Sequence, residues 1–299
     1  MWTISLISFL LITFLIGFLS KEDLAEVLPI SVGGLLLLLY ILGFFRSMSV
    51  IGGILACILL IFVVAFALMG KPGRDAFLKE LKAFYINPQS MVILIGTVTV
   101  AALTRGHIAT WWDDINFWAT DAKAMYFING FAGKYGNVAP EFGDYPPILQ
   151  IAKWCFTKIN PYEYREGLAF AGYYVTNLIF SLPLLKLCKG KGIWYQISGV
   201  ILMFLLPGVC NEIWSHGACA DVTMGIIYGA LLILIIDFRG HRASVYYSKI
   251  GILFSLLVLT KSVGFEWAIF AAIFFVAVTF INKAKLCKNY GNRYMIYTL

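Results

Sequence analysis

Two adjacent carboxylates, Asp113 and Asp114, follow Trp111 and Trp112 at the end of an apolar run and lead into Ile115-Asn116-Phe117-Trp118. An aspartate within hydrogen-bond reach of a hydroxyl can take its proton, and acidic groups can also hold a divalent metal. Neighbours on a helix do not point the same way, so at most one of the pair faces a given substrate. The other suits a helix N-cap, where its charge meets the helix dipole. Further along, Asp144 and Tyr145 precede two prolines that fix an extended turn, and Pro147 opens an apolar periodic run from Ile148 to Phe156 that carries Lys153. With Lys123, Lys134 and Lys158, this makes a segment rich in both acids and bases.

Two more charged residues interrupt apolar runs. Asp221 stands in the stretch HGACADVTMG, and Lys261 stands near Glu266 in the last apolar pair. Such groups are costly near lipid unless they face water or a partner. Asp221 is therefore read either as part of the same site or as a structural partner of Lys261 or of a backbone end. Lys261 fits either an anion-binding role or a side chain snorkelling to the surface. His107, His216 and His241 read as ordinary interfacial histidines. The six cysteines have no CxxC pair and no zinc-like spacing, although Cys210 and Cys219 flank a short loop and could form a disulfide.

What must position these groups is a membrane protein. The 299 residues are 61% hydrophobic and 13% charged, outside the range of soluble globular chains. Apolar runs without two-residue alternation predict helices rather than a barrel, because lipid offers backbone groups no hydrogen bonds. The expected fold is an all-α polytopic membrane protein of about nine spans, with a span needing about 20 apolar residues. They fall at roughly 2–19, 28–45, 49–69, 91–105, 167–185, 193–209, 218–236, 247–260 and 264–281. The first lacks the basic start and cleavage site of a signal peptide and reads as a retained helix. Three segments result: N-terminal spans over 1–104, a large loop over 105–166, and C-terminal spans over 167–299.

Lys and Arg in short loops set the orientation. They gather on one side, as with Lys71, Arg74, Lys79 and Lys82, against Arg46 and Lys261 on the other. The positive-inside rule then places loop 105–166 outside the cell membrane and the C-terminus in the cytoplasm. The net charge of +7 is explained by this clustering, so no nucleic-acid partner is expected. Residues 75–86 read as an amphipathic helix, either on the inner membrane surface or packed on the bundle as a connector. Ile115, Trp118, Ala122, Met125 and Tyr126 form a second stripe, predicting a helix along the outer face with Asp114, Asp121 and Lys123 off the stripe.

The ordered set WWDD at 111–114, GDYPP at 143–147, CADVTMG at 219–225 and LTKSVG at 259–264 resembles the GT-C superfamily of integral-membrane glycosyltransferases, chiefly its poorly characterised bacterial members. The resemblance covers roughly positions 105–265. It implies transfer of a sugar from a polyprenyl-phosphate carrier to a glycan, lipid or protein acceptor in envelope assembly, with an acidic residue of the large loop as catalytic base. Asp114 is the favoured base because it leads directly into the surface helix, with Asp113 as its support or metal partner. The leaving phosphate needs a cation. Lys123, Lys153, Arg105 and Lys261 are candidates, or a divalent Mg or Mn ion on Asp113 and Asp114. Asp144, Tyr145 and Asp221 are further substrate-site candidates. Outside this family, the same pattern allows a transporter or flippase-like protein, or a non-catalytic envelope-assembly subunit.

Overall fold

The computed structural model describes residues 2–131, 145–209, 217–237 and 243–290. Its side chains are described over 4–131, 145–205, 217–237 and 243–281. Asp144, Lys134, Cys210, His216 and His241 lie outside the described residues, as does the proposed Cys210–Cys219 bridge.

The described elements are helical. α1 (Trp2–Ser20), α2 (Leu24–Phe44) and α3 (Val50–Leu68) open the chain. They are followed by α4 (Lys71–Tyr85) and α5 (Pro88–Thr104). A π-helical turn, Asp114–Trp118, runs directly into α6 (Ala119–Ile128). After it come α7 (Ile148–Thr157), α8 (Glu166–Phe180), α9 (Pro183–Cys188), α10 (Ile193–Val209), α11 (Ala220–Ile236), α12 (Ala243–Val258) and α13 (Gly264–Tyr290).

Four of these stretches are long and apolar enough to cross a membrane: Leu24–Phe44, Val50–Leu68, Glu166–Cys188 and Gly264–Ile281. A fifth is added if α4 and α5, bent by 59° at their join, count as one. Among the described residues the expected nine spans are not reached. α5, expected over 91–105, begins at Pro88 and has 17 residues, while α11 has 17 and α12 has 16. The exposed apolar side chains of α3 and α13, among them Leu60, Ile61, Phe270, Ile273 and Phe280, fit contact with lipid.

Local chemistry explains several boundaries. Asn87 caps α5 by accepting the Ser90 amide at 3.0 Å, and Pro88 fills the first helical position, where no amide hydrogen is needed. α4 turns its aromatic side onto the bundle: Phe77 meets Phe14 edge-on at 5.1 Å, and Phe84 meets it at 5.5 Å. This is the packed-connector reading of residues 75–86. Asn129 ends α6 in the left-handed region at φ 61°. Its side chain then ties α6 to the turn after α2, through the Ser49 amide at 2.9 Å and the Ser49 hydroxyl at 2.7 Å.

The core crosses all three sequence segments. Leu36 and Leu39 of α2, Met125 of α6, Ile151 and Trp154 of α7, Leu231 of α11 and Leu256 of α12 belong to one buried cluster. α7 packs on α8, α6 and α2. The described parts of 105–166 are therefore folded into the bundle rather than forming a large loop along its surface. The cause is a broader apolar stripe than the sequence suggested: Phe117, Trp118, Ala119, Ala122, Met125 and Tyr126 are all buried, whereas Ile115 is exposed.

At one end of the bundle an ion-pair network joins four helices or their flanks. Lys186 of α9 bridges Glu26 of α2 and Asp237 beyond α11, and Lys249 of α12 pairs with Glu22. Asp114, Asp221 and Lys261 lie toward the other end, because Asp221 starts α11 whereas Asp237 follows it.

Candidate functional site at the Asp114 end

The π turn decides where the acidic pair points. An α-helical turn closes from the Ile115 amide to the Trp111 carbonyl at 2.9 Å, whereas the Ala119 amide reaches back five residues to the Asp114 carbonyl. The extra residue in the turn rotates side chains away from ordinary helical register, and such insertions recur at functional sites. Asp114 becomes fully buried. Asp113 stays half-buried at the head of the turn and makes no side-chain cap bond. The capping role expected for one aspartate is thus not taken up by Asp113.

Neither carboxylate oxygen of Asp114 has a hydrogen-bond partner of ordinary geometry among the described residues. Its surroundings are largely aromatic: Phe117, Trp118, Phe170, Tyr173 and Tyr174 form the cluster that also holds Ala218. Burial pushes the Asp114 carboxyl above the usual carboxylate range, partly opposed by the Lys153 ammonium and the Ala218 backbone amide. A buried carboxyl lacking full compensation is costly for folding, and such groups concentrate at functional sites.

Lys153 supplies the opposing charge. It is 1% exposed on α7 and donates from Nζ to the Trp118 carbonyl at 3.2 Å. The same ammonium stands 5.9 Å from the centre of the Tyr173 ring. Burial lowers its pKa to about 8, although Asp114 and Asp121 both favour its charged form. Asp121 is also fully buried. The predicted stripe set it among the polar positions, but it stands three residues after Trp118 and four before Met125, so the regular turn of α6 carries it to the buried side with them. Among the described residues, sequence reasoning missed Asp121 because its charge was taken to mark an exposed position.

A second charged pair adjoins the first. Lys261 donates to both oxygens of Asp221, at 2.8 and 2.9 Å, and the Cys219 thiol donates to Asp221 at 3.0 Å. Tyr145 links the two groups. Its ring stacks on Trp118 at 5.8 Å, meets Phe117 at 5.2 Å and has the Lys261 ammonium 5.8 Å from its centre. Burial works against the Lys261 charge, but the Asp221 carboxylate outweighs it and raises the lysine above its ordinary pKa.

Asp114, Lys153, Tyr145, Asp221 and Lys261 therefore meet at one end of the bundle. Arg105 and Lys123 do not join them, because both lie exposed on a separate groove with Tyr162, Tyr164 and Glu166. His107 lines that groove too, its ring 5.7 Å from Phe170. No group of three metal-ligating side chains gathers among the described residues. The charged neighbours of Asp114 are Lys153 and Asp113. No protein-family model matches this chain, and no match is found among curated proteins or solved structures.

Proposed function

We propose that this chain is an integral-membrane glycosyltransferase of GT-C type. It moves a sugar from a polyprenyl-phosphate carrier to an envelope glycan, lipid or protein acceptor at the extracytoplasmic face of the cell membrane. In this reading the segment 105–166 lies on the outward side and the C-terminus is cytoplasmic.

The observation that carries the reading is Asp114, a fully buried carboxylate placed beside Lys153 and only partly compensated by that ammonium and the Ala218 backbone amide. In the reaction, the acceptor hydroxyl oxygen bonds to the anomeric carbon as the bond from that carbon to the carrier phosphate breaks. Asp114 takes the hydroxyl proton. Negative charge develops on the departing phosphate oxygen, where Lys261 or Lys153 offers a cation. Because Lys261 is bound to Asp221, part of that contact must be exchanged for the phosphate.

The test is transfer from polyprenyl-phosphate-linked sugars by purified protein, comparing wild type with Asp114→Asn, Asp113→Asn and the double variant. Loss with Asp114→Asn and near-normal transfer with Asp113→Asn is the expected pattern. Unchanged transfer by a well-folded Asp114→Asn protein removes the base assignment.

A transporter reading has one observation of its own. Lys249 and Glu22 are each 5% exposed and pair at the far end of apolar helices, as in proteins that move charged cargo through a bundle. Uptake into liposomes without any transfer product supports that reading instead.

A further inference from the structure

Arg105 and Lys123 are left unused by the Asp114 site, and they line a groove of about 730 Å³ between the turn after α5, the outer side of α6 and the entry to α8. That volume falls within the range of small-ligand sites, roughly 300–1,000 Å³. The other charges of the groove are Arg165, Glu163 and Glu166. Arg165 pairs with Glu163 at 3.1 Å, and Glu166 accepts the Ala109 amide at 2.7 Å. Among the described residues Arg105 has no carboxylate within ion-pair reach, and Lys123 stands 5.8 Å from the centre of the Tyr164 ring. Arg165 offsets Glu163, and Arg105 with Lys123 outweighs Glu166, so the groove carries a net positive charge that favours an anion. The lining also presents Tyr162 at 96% exposure and Phe127 at 70%. Exposed rings of this kind suit the less polar part of a ligand whose charged part sits on Arg105 and Lys123.

We infer that this groove binds a phosphate-class anion, held by the Arg105 guanidinium and the Lys123 ammonium. The guanidinium fork matches two phosphate oxygens, and the ammonium adds a point charge. Such an anion can come from an anionic phospholipid headgroup or from free phosphate in solution. The site is distinct from the Asp114 group and does not depend on glycosyl transfer.

The experiment uses the full chain purified in detergent, with native mass spectrometry reading retained phosphatidylglycerol against retained phosphatidylcholine, and thermal unfolding read with and without inorganic phosphate. The variants are Arg105→Gln with Lys123→Gln, Tyr162→Ala, and Lys189→Gln as a control at the opposite end. Losing both charge-assisted contacts weakens retention by at least about tenfold. If wild type prefers phosphatidylglycerol and the double variant loses that preference while Lys189→Gln keeps it, the anion is a lipid headgroup. If no lipid preference exists but phosphate raises the unfolding temperature of wild type and not of the double variant, the source is soluble phosphate. Neither effect, or an equal effect in the double variant and Lys189→Gln, overturns the proposal. Both groove cations are exposed, so the double variant folds, and its unchanged unfolding temperature without phosphate verifies this.

Discussion

Lys261 holds both carboxylate oxygens of Asp221, at 2.8 and 2.9 Å, and so ties the turn before α13 to the first turn of α11. Asp221 is 52% exposed at its side chain, and ion pairs with this much water contribute little, about 0–1 kcal/mol. Asp221→Asn is therefore expected to leave the thermal unfolding of the protein nearly unchanged. In the proposed reaction it frees Lys261 from its carboxylate, so binding of a polyprenyl-phosphate-linked sugar changes while folding does not. Parallel melting and donor-binding measurements separate the two effects.

Lys153 behaves differently because it is 1% exposed and faces buried acids. Replacing it by Met leaves the charge of Asp114 and Asp121 uncompensated, at a cost of about 3–5 kcal/mol. Lys153→Met should thus lower the unfolding temperature sharply at neutral pH. Adding Asp114→Asn should recover part of the loss, and a double-mutant cycle measures that coupling.

The pH dependence has two limbs. Asp114 must be ionised to accept a proton, and burial keeps it protonated above the usual carboxylate range. Its neighbour Lys153 loses its charge near pH 8. Transfer plotted as kcat/KM should therefore rise through an acid limb displaced upward from an ordinary carboxylate and fall above about pH 8. Lys153→Arg, which stays charged, should remove the alkaline fall if the enlarged side chain is accommodated.

Stability follows the proton counts of the folded and unfolded chains. Folded Lys153 releases its proton near 8, whereas an unfolded lysine keeps it to 10.5. Between those values the unfolded chain binds more protons, so the Lys153 contribution to stability rises with pH. Asp114 acts in the opposite sense: the folded chain keeps its proton beyond 3.8, and its contribution falls as pH rises through the window above that value. Denaturant midpoints of wild type and Asp114→Asn across the acid window check the Asp114 sign, and those of wild type and Lys153→Met above about pH 8 check the Lys153 sign.

Gly167 gives a packing test beside the groove. A Cβ there would lie 2.3 Å from the Thr104 carbonyl oxygen and 2.9 Å from that of Arg105. Those atoms are backbone, so Gly167→Ala must separate the ends of α5 and α8. A loss of about 1–3 kcal/mol is expected, read as a lower thermal unfolding temperature.

Much of this arrangement is legible in the residue pattern. Apolar runs announce the helices, Pro147 marks the start of α7 at Ile148, and the alternation of aromatics and lysines in 75–86 announces α4. Asp114, Lys153, Tyr145, Asp221 and Lys261 are singled out by charge or turn chemistry before any fold is known. What escapes is depth and partnership. Asp121 and Lys123 are two residues apart, yet one is buried with Lys153 and the other lines the outer groove. The residue types assign both to the polar side, although Asp121, unlike Lys123, shares the helical face of Trp118 and Met125. The number of spans escapes as well, since α5, α11 and α12, at 17, 17 and 16 residues, lie at the lower edge of the length a bilayer crossing needs.

The five-residue reach from Ala119 to Asp114 has a further consequence. It makes the position of the buried acid a matter of counting along the chain. Deleting one residue between Ile115 and Phe117 would let the turn relax to an ordinary helix, with every charged side chain of the site still present. The carboxylate would then be swung away from Lys153 by about a quarter of a turn, near 100° per residue, and a chain with an unaltered inventory of acids and bases would hold them out of phase.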